Sequence, residues 1–274
     1  MFYDTHTHTK FSADSEMSID SAVDAAIKNN LKGIAFTDHF DYNYSCNGIN
    51  ENIEFDYDFN EYFETVSIWR EKLKGTLDIL FAVEIGFQPE SDVYNAIKER
   101  LDGFQFDYII GSTHVMNQID PYYGKFYEDP SRGVKKTKLQ AYGECLECIY
   151  KNIDMYDDFD TMGHFDYHIR YAPFEDSAFY YRDFPDQMDA ILKNIISKNK
   201  ALEINTKTYV KNPLDIMVLK RYKELGGEMV TIGSDAHSPE FVGLNFKETA
   251  EIIRNAGFDY LTYFKNRTPV LYKI

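Results

Sequence analysis

Residues 18–39 read SIDSAVDAAIKNNLKGIAFTDH and combine a helical pattern with a strand. Ser18 is a typical N-cap residue, and the apolar side chains after it recur at the spacing of one helix face, which predicts a helix over 18–30. These apolar side chains are Ile19, Ala22, Val23, Ala26 and Ile27. The runs at 1–5 (MFYDT) and 33–38 (GIAFTD) predict a strand on either side of the helix. A strand, a helix and a parallel strand form the βαβ unit of α/β proteins.

The same alternation continues along the rest of the chain. Further strands are predicted at 77–85, 107–113, 158–163, 201–206, 228–234 and 258–264. Further helices are predicted at 92–101, 136–153, 186–198, 213–225 and 247–256. Seven or eight such units favour a closed barrel of the TIM type over an open sheet. Because no linker rich in proline, glycine or serine interrupts the pattern, we predict one α/β domain over residues 1–274.

Composition argues against several classes of protein. The formal net charge is −16, and such a surface repels phosphate groups, so we expect neither long nucleic acids nor membranes as partners. No apolar run approaches the roughly 18–20 residues that span a bilayer. Three cysteines, an odd number, argue against a disulfide framework, and no signal-peptide pattern is visible, so we expect a cytoplasmic protein. Cys145 and Cys148 lie on one face of a predicted helix, which favours packing over metal or redox chemistry.

Six of the seven histidines follow predicted strands: His6, His8, His39, His114, His164 and His237. In a parallel barrel, active sites are built on the face formed by the C-terminal ends of the strands. Glu84 lies at the end of another predicted strand, and Asp235 precedes His237 by two residues. A single histidine is more often a packing or surface residue than a ligand. Six at equivalent positions, together with these carboxylates, predict a polynuclear metal site.

The residue types indicate which ions would bind. Imidazole suits zinc, iron and manganese, and carboxylates add hard oxygen ligands. Side chains two residues apart in a strand point the same way, so His6 and His8 could chelate one ion. A carboxylate such as Glu84 could bridge two ions with its two oxygens. The number of candidate ligands therefore predicts two to three divalent transition metal ions, and zinc, manganese and iron all remain open.

Several motifs, taken in order, resemble those of the polymerase and histidinol phosphatase (PHP) superfamily. They are DTHTHTKFSAD (4–14), GIAFTDH (33–39), VEIGF (83–87), GSTH (111–114), GHFDY (163–167) and IGSDAHSPEFVG (232–243). Four further segments are most similar to the histidinol-phosphate phosphatase branch: DPYYGKFYED, GHFDYHIRY, LEINT and RYKELGGEMVTIGSDAH. The resemblance implies a distorted (β/α)7 barrel with a trinuclear metal centre. It also implies hydrolysis of L-histidinol phosphate to L-histidinol in histidine biosynthesis.

The resemblance assigns nine ligands to three ions. The implied ligands are His6, His8, Glu84 and Asp235 for the first ion, Glu84, His114 and His164 for the second, and Asp14, His39 and His237 for the third. Ions of this kind neutralise phosphoryl oxygens and lower the pKa of water towards about 7, so we expect no serine or cysteine nucleophile. Asp235 or a metal-bound water is the candidate acid for the leaving group.

Three basic residues and one histidine are candidates for contact with the substrate. Arg170 resembles the phosphate-binding arginine of the branch, with a structural salt bridge as the alternative. If 166–170 is extended, His168 shares a face with Arg170, so we expect His168 to support the metal ligands or to contact the substrate, with packing as the alternative. The candidate catalytic residues are therefore Asp235, Arg170 and His168. After LEINT the branch carries an arginine loop, whereas this chain has the shorter KTYVKNPLD, in which Lys207 or Lys211 could replace the arginine at the phosphate.

Two aromatic and acidic loops, 40–57 and 115–135, are candidate lids over the substrate, with packing on the barrel rim as the alternative. Two other functions are open at this point. One is a PHP phosphoesterase that acts on another small phosphate ester or a nucleotide end. The other is a non-catalytic metal-binding PHP domain, against which the complete set of implied ligands argues.

Overall fold

The structure is a computed structural model that describes residues 1–46, 48–210, 212 and 214–274. Its strands are β1 (Tyr3–Thr7), β2 (Gly33–Phe36), β3 (His39–Phe40), β4 (Asp78–Gly86), β5 (Tyr108–Ser112), β6 (Glu128–Asp129), β7 (Val134–Lys135), β8 (Thr161–Met162), β9 (Ala201–Asn205), β10 (Val230–Gly233), β11 (Tyr260–Lys265) and β12 (Thr268–Lys273). Its α-helices are α1 (Ile19–Lys28), α2 (Phe59–Lys72), α3 (Ser91–Leu101), α4 (Lys138–Met155), α5 (Pro185–Ser197), α6 (Ile216–Glu224) and α7 (Phe246–Asn255).

Seven parallel strands form the barrel in the order β1, β2, β4, β5, β8, β9, β10, and β3 adds a short second pairing to β4. The ring closes between β1 and the end of β10. There the backbone N–H of His8 donates to Ala236 (2.8 Å) and that of Asp235 donates to His6 (2.8 Å). The pairing of β1 with β2 shifts register between Asp4 and Thr7, which distorts the ring locally. The predicted distorted TIM-type (β/α)7 barrel is confirmed.

The first βαβ unit forms largely where its sequence predicts it. The Ser18 side chain caps α1 by accepting from the Ser21 backbone N–H, and the predicted apolar face is buried, except that Ile27 is 46% exposed. Helix α4 begins with a capping box in which Thr137 and Gln140 bond reciprocally. Cys145 and Cys148 lie buried on α4 as free thiols in the hydrophobic core, as predicted.

Two features differ from the prediction, and the first is that helix α2 was not predicted. Pro213, the start of the helix predicted at 213–225, lies outside the described residues. The predicted strand at 258–264 is not an eighth barrel strand, because β11 pairs antiparallel with β12. Asn266 and Arg267 turn the chain sharply there, with φ of 49° and 60°.

The β11–β12 hairpin covers the N-terminal end of the barrel. Tyr263 stacks on Tyr3 of β1, with ring centroids 3.8 Å apart. At the tip of the hairpin, the backbone N–H of Asn266 donates to the side chain of Asp107, just before β5, at 3.0 Å. The opposite end of the barrel therefore remains available for a site. Within the described part of the chain, no helix is both long enough and apolar enough to cross a bilayer.

Candidate metal centre and substrate cleft

Glu84, at the end of β4, is the centre of a cluster of imidazoles. It is fully buried, and its Oε1 lies 2.9 Å from His164 Nε2 and 3.2 Å from His114 Nε2. Its Oε2 lies 3.2 Å from His6 Nε2 and 3.0 Å from His39 Nδ1. These side chains come from four different strand ends, so the barrel brings together residues that are far apart in the sequence. The position of Glu84 agrees with the bridging role expected for it.

The remaining predicted ligands lie beside this group. His8 Nε2 is 3.3 Å from Asp235 Oδ1 and 3.0 Å from His6 Nε2. Towards the mouth of the barrel, Asp14 Oδ2 is 3.1 Å from His237 Nε2 and 3.8 Å from His39 Nε2. All nine side chains predicted as metal ligands therefore meet at the C-terminal ends of the strands.

Hydrogen bonds from the outer nitrogens orient two of the imidazoles. His6 Nδ1 is 2.6 Å from Glu203 Oε1, and because a carboxylate only accepts, Nδ1 carries the proton. His8 Nδ1 is 3.2 Å from Ser12 Oγ. The one hydroxyl proton of Ser12 goes to Asp38, at 2.8 Å, so His8 donates to Ser12. When neutral, the His6 and His8 rings therefore both direct the Nε2 lone pair into the cluster, and such outer partners are typical of histidines that bind metal.

The donors fit a group of divalent cations. Nε2 of His6 and Nε2 of His8 lie 3.0 Å apart, an arrangement that a cation between or beside them would stabilise. Oε2 of Glu84 is buried without a hydrogen-bond partner in the described part of the chain, and burying an unpaired carboxylate oxygen is costly. Four sets of side chains converge closely enough to hold an ion: His8, His39 and His237; His6, Glu84 and His164; His6, His8 and Asp235; and His39, Asp41 and His114.

The electrostatics of the cluster favour bound cations. Burial raises the pKa of Glu84, but the imidazoles of His6, His114 and His39 outweigh it and hold that pKa well below its usual value. Burial lowers the pKa of His39, but the carboxylates of Asp14 and Glu84 outweigh it and raise that pKa to about 9. Without metal, protons on the imidazoles balance the negative charge of these carboxylates. Divalent ions would replace those protons.

Arg170 and Lys207 reach the same site from the cleft wall. Arg170 donates from Nη1 to Asp235 Oδ2 (2.6 Å), from Nη2 to Asn205 Oδ1 (2.9 Å) and from Nε to Thr208 Oγ1 (2.9 Å). Lys207 Nζ lies 3.3 Å from Asp235 Oδ1. Arg170 thus forms the salt bridge considered as an alternative and also lines the cleft. Lys211, the other predicted phosphate contact, lies outside the described residues.

The predicted geometry of His168 is wrong. Tyr167–Arg170 form a 3₁₀ helix and not an extended segment, so His168 and Arg170 do not share a face. The His168 ring is fully buried edge-on against Tyr142, with centroids 4.6 Å apart, and does not line the cleft. Neither ring nitrogen has a hydrogen-bond partner in the described part of the chain, and burial lowers the pKa of His168 to about 3. These contacts agree with the packing alternative.

Three polar residues of the site were not predicted. Asp41 contacts His114, Glu203 contacts His6, and Ser112 Oγ donates to Glu84 Oε1 at 2.6 Å. All three carried a signal in the sequence: Asp41 follows His39 by two residues, Ser112 lies in the GSTH motif, and Glu203 lies in the LEINT segment, to which no role was given. Contacts to the outer nitrogens of the ligands depend on the packing of neighbouring strands, which the local pattern does not describe.

Both predicted lid loops contribute walls to the cleft. The aromatic side chains that line it are Tyr44, Phe55, Tyr122, Tyr123, Tyr167 and Tyr171. The loops are joined by a hydrogen bond from the Tyr44 hydroxyl to Asp120 Oδ2 (2.6 Å) and by apolar packing of Tyr44 and Phe55 with Val115. Glu51 and Asp120 add carboxylates to the same walls. The cleft thus leads from an aromatic, acidic entrance to a histidine-rich floor.

Comparison with known proteins agrees with this geometry. The PHP domain family model matches residues 4–207. A Clostridium acetobutylicum protein named "Probable histidinol-phosphatase" is 38% identical, over 93% of this chain and 94% of its own length. The histidinol-phosphatase of Lactococcus lactis is 29% identical, over 95% of this chain and 93% of its own length.

Solved structures show the same fold. The crystal structure of histidinol phosphate phosphatase from Lactococcus lactis, complexed with zinc, L-histidinol and phosphate, superposes with a TM-score of 0.87 at 29% identity and covers 98% of each chain. A Listeria monocytogenes protein described as a histidinol phosphatase has a TM-score of 0.75 at 17% identity, covering 90% of this chain and 99% of its own, which shows the fold alone. The family model, the relatives and the geometry of the strand ends together show that this chain belongs to the PHP superfamily, in its histidinol-phosphate phosphatase branch.

Proposed function

We propose that this chain is a metal-dependent phosphoric monoester hydrolase that converts L-histidinol phosphate to L-histidinol in histidine biosynthesis. The observation that carries the proposal is the buried Glu84 among imidazoles at the floor of an aromatic cleft. The proposal is also supported by the similar Lactococcus lactis enzyme, whose crystal structure contains zinc, L-histidinol and phosphate. The free thiols of the three cysteines support the cytoplasmic location that we also propose.

The nine predicted ligands would hold two to three divalent transition ions, with zinc, manganese and iron as candidates. When bound, such ions supply Lewis acidity and water of lowered pKa. Arg170 and Lys207 would bind the phosphoryl oxygens, since both cations line the cleft beside the cluster. Although burial raises the pKa of Asp235, Lys207 and Arg170 hold it well below its usual value, so this residue is better suited to binding cations than to donating a proton.

The entrance of the cleft suits the remainder of the substrate. Histidinol carries a flat imidazole ring and an ammonium group. Aromatic side chains such as Tyr122 and Tyr171, whose rings lie 5.1 Å apart, could contact the ring. The carboxylates of Glu51 and Asp120 line the same cleft and could attract the ammonium group electrostatically at short distance. A simple aryl phosphate would reach the cluster without these contacts.

A panel of phosphate esters tests the substrate. With zinc-loaded protein, kcat/KM for histidinol phosphate should exceed that for an aryl phosphate by at least about a hundredfold, which is about 2.7 kcal/mol of transition-state binding. Arg170→Ala should lower kcat/KM for every ester, because Arg170 would bind the group that they share. Tyr122→Ala, at the exposed rim, should impair histidinol phosphate selectively. Equal rates on histidinol phosphate, nucleotide monophosphates and the aryl phosphate would instead favour a general phosphoesterase.

A further inference from the structure

Asp41 is a buried carboxylate beside the cluster and is not one of the nine predicted ligands. It follows β3 directly and is 4% exposed. Its Oδ1 lies 2.9 Å from His114 Nδ1, and its Oδ2 lies 3.4 Å from His39 Nδ1. The backbone N–H of Asp41 donates to the carbonyl of Phe55 (3.0 Å), which fixes the main chain at this point. Asp41 therefore forms a hydrogen bond with His114, whereas Nδ1 of His39 lies closer to Glu84 Oε2, at 3.0 Å.

The space that Asp41 occupies exists because residue 86 is glycine. A Cβ atom built on Gly86 would lie 1.3 Å from Asp41 Oδ1, an impossible contact. Gly86 has no positive φ, so its backbone does not require glycine. Glycine is therefore needed at the end of β4 because the Asp41 carboxylate occupies the space that a side chain would fill.

The partners of Asp41 are imidazoles and not permanent cations. Within the described residues, no lysine or arginine forms a salt bridge with it. Burying a carboxylate is costly unless it is hydrogen-bonded, so His114 must supply that compensation. A neutral imidazole that donates from Nδ1 leaves Nε2 unprotonated, and Nε2 of His114 faces Glu84.

We propose that Asp41 is a positioning residue that accepts a hydrogen bond from Nδ1 of His114 and so directs Nε2 of His114 towards the metal. The inference rests on the metal centre proposed above. Removing such an outer partner typically weakens metal binding 10- to 100-fold.

Asp41→Asn tests the proposal with little change of shape. Zinc titration followed by metal analysis should show a dissociation constant raised about 10- to 100-fold for the weaker ions, and a lower zinc content per chain after dialysis. Long-range ¹H–¹⁵N spectra of the zinc-loaded protein should show that His114 loses its Nδ1–H signal or its single tautomer. The matched control is Asp120→Asn, because that buried cleft carboxylate bonds to the hydroxyls of Tyr44 and Tyr167 and should keep the zinc content.

Gly86→Ala provides a second, independent approach, because the added methyl group must displace Asp41. It should reproduce the loss of zinc. In Gly86→Ala/Asp41→Ala the clash is gone, so the double variant should bind zinc no more weakly than Asp41→Ala alone. Circular dichroism of each variant checks that the barrel has formed.

The possible failures can be told apart. Wild-type protein that binds no zinc would overturn the proposed metal centre itself. Wild-type protein that binds zinc, with Asp41→Asn equal to it in affinity, zinc content and imidazole tautomers, would overturn the role of Asp41 alone. A spectrum in which Asp41 itself binds zinc, while His114 is metallated through Nδ1, would also overturn the positioning role.

Discussion

Glu84 is fully buried, and five imidazoles lie within 3.5 Å of its two oxygens. A buried carboxylate costs several kcal/mol unless opposite charge or hydrogen bonds compensate it. Ser112 supplies one hydrogen bond to Oε1, and the remaining compensation must come from protons or metal ions held by the histidines. The same residue would therefore set both the charge of the site and the distance between two ions.

Glu84→Gln should lower the number of bound ions and abolish turnover, because the amide is neutral and cannot bridge two cations with two anionic oxygens. Elemental analysis of purified protein should find two to three transition ions per chain for the wild type and fewer for the variant. Glu71→Gln is the control, since the Glu71 side chain is 78% exposed in a surface pair with Lys74 and should retain both properties. Full turnover of metal-stripped wild-type protein would contradict the role of the ions.

At the scale of elements, helices α5 and α6 are joined by a single bidentate ion pair. Asp189 of α5 accepts from Arg221 of α6 through Nε (2.9 Å) and Nη2 (2.7 Å), and from the Tyr181 hydroxyl (2.8 Å). The hydrogen bonds from Arg221 hold the pKa of Asp189 well below its usual value. Since an unfolded aspartate has a pKa of about 3.9, the unfolded chain binds the proton more readily, and the pair stabilises the fold only while Asp189 is ionised.

Asp189→Asn should therefore lower the free energy of unfolding at pH 7, and the difference from wild type should shrink as the pH falls below about 4. Urea denaturation of both proteins in their metal-free forms measures this, so that loss of metal in acid does not contribute. Glu71→Gln, in the exposed pair on α2, should differ little from wild type at either pH. A difference between Asp189→Asn and wild type that is constant across this range would show that the ion pair is not its source.

The whole molecule is a barrel with two unlike ends. The N-terminal end is closed by the β11–β12 hairpin, through the stacking of Tyr263 on Tyr3 and the bond from Arg267 Nε to Asp160 (2.6 Å). The C-terminal end gathers ionisable side chains from all around the ring into one buried cluster. Mutual repulsion among those carboxylates opposes closure of the ring, and bound cations would relieve it.

Removing metal should therefore destabilise the entire fold. One ion at a free concentration of 100 times its Kd contributes about 2.7 kcal/mol, which corresponds to a Tm lower by roughly 5 °C or more after chelation. Differential scanning calorimetry before and after treatment with a chelator measures the change, and added zinc should restore it. In Glu84→Gln the chelator should shift Tm less. An unchanged wild-type Tm would mean that the cluster is stable without cations.

The sequence alone predicted the order of strands and helices, the position of histidines after strands and the family motifs. Periodicity and short motifs are local properties, so they can be recognised without the tertiary structure. They were sufficient to predict the barrel and the convergence of nine side chains, since all parallel strand ends meet at one face. The resemblance to the phosphatase branch also indicated Arg170, and Lys207 was one of two lysines expected to replace the branch's second arginine.

Other features depended on how distant segments pack. The His168 side chain points into the core because residues 167–170 form a 3₁₀ helix that packs against Tyr142. The alternating spacing of Asp166, His168 and Arg170 in the sequence does not reveal this turn. The last predicted strand became a hairpin because its partner was the segment after it and not the barrel. Asp41 meets His114 across 73 residues of sequence, in a space that Gly86 leaves on a third segment. Contacts of this kind exist only once the ring has closed, since they depend on interatomic distances between strands and not on the sequence of any one of them.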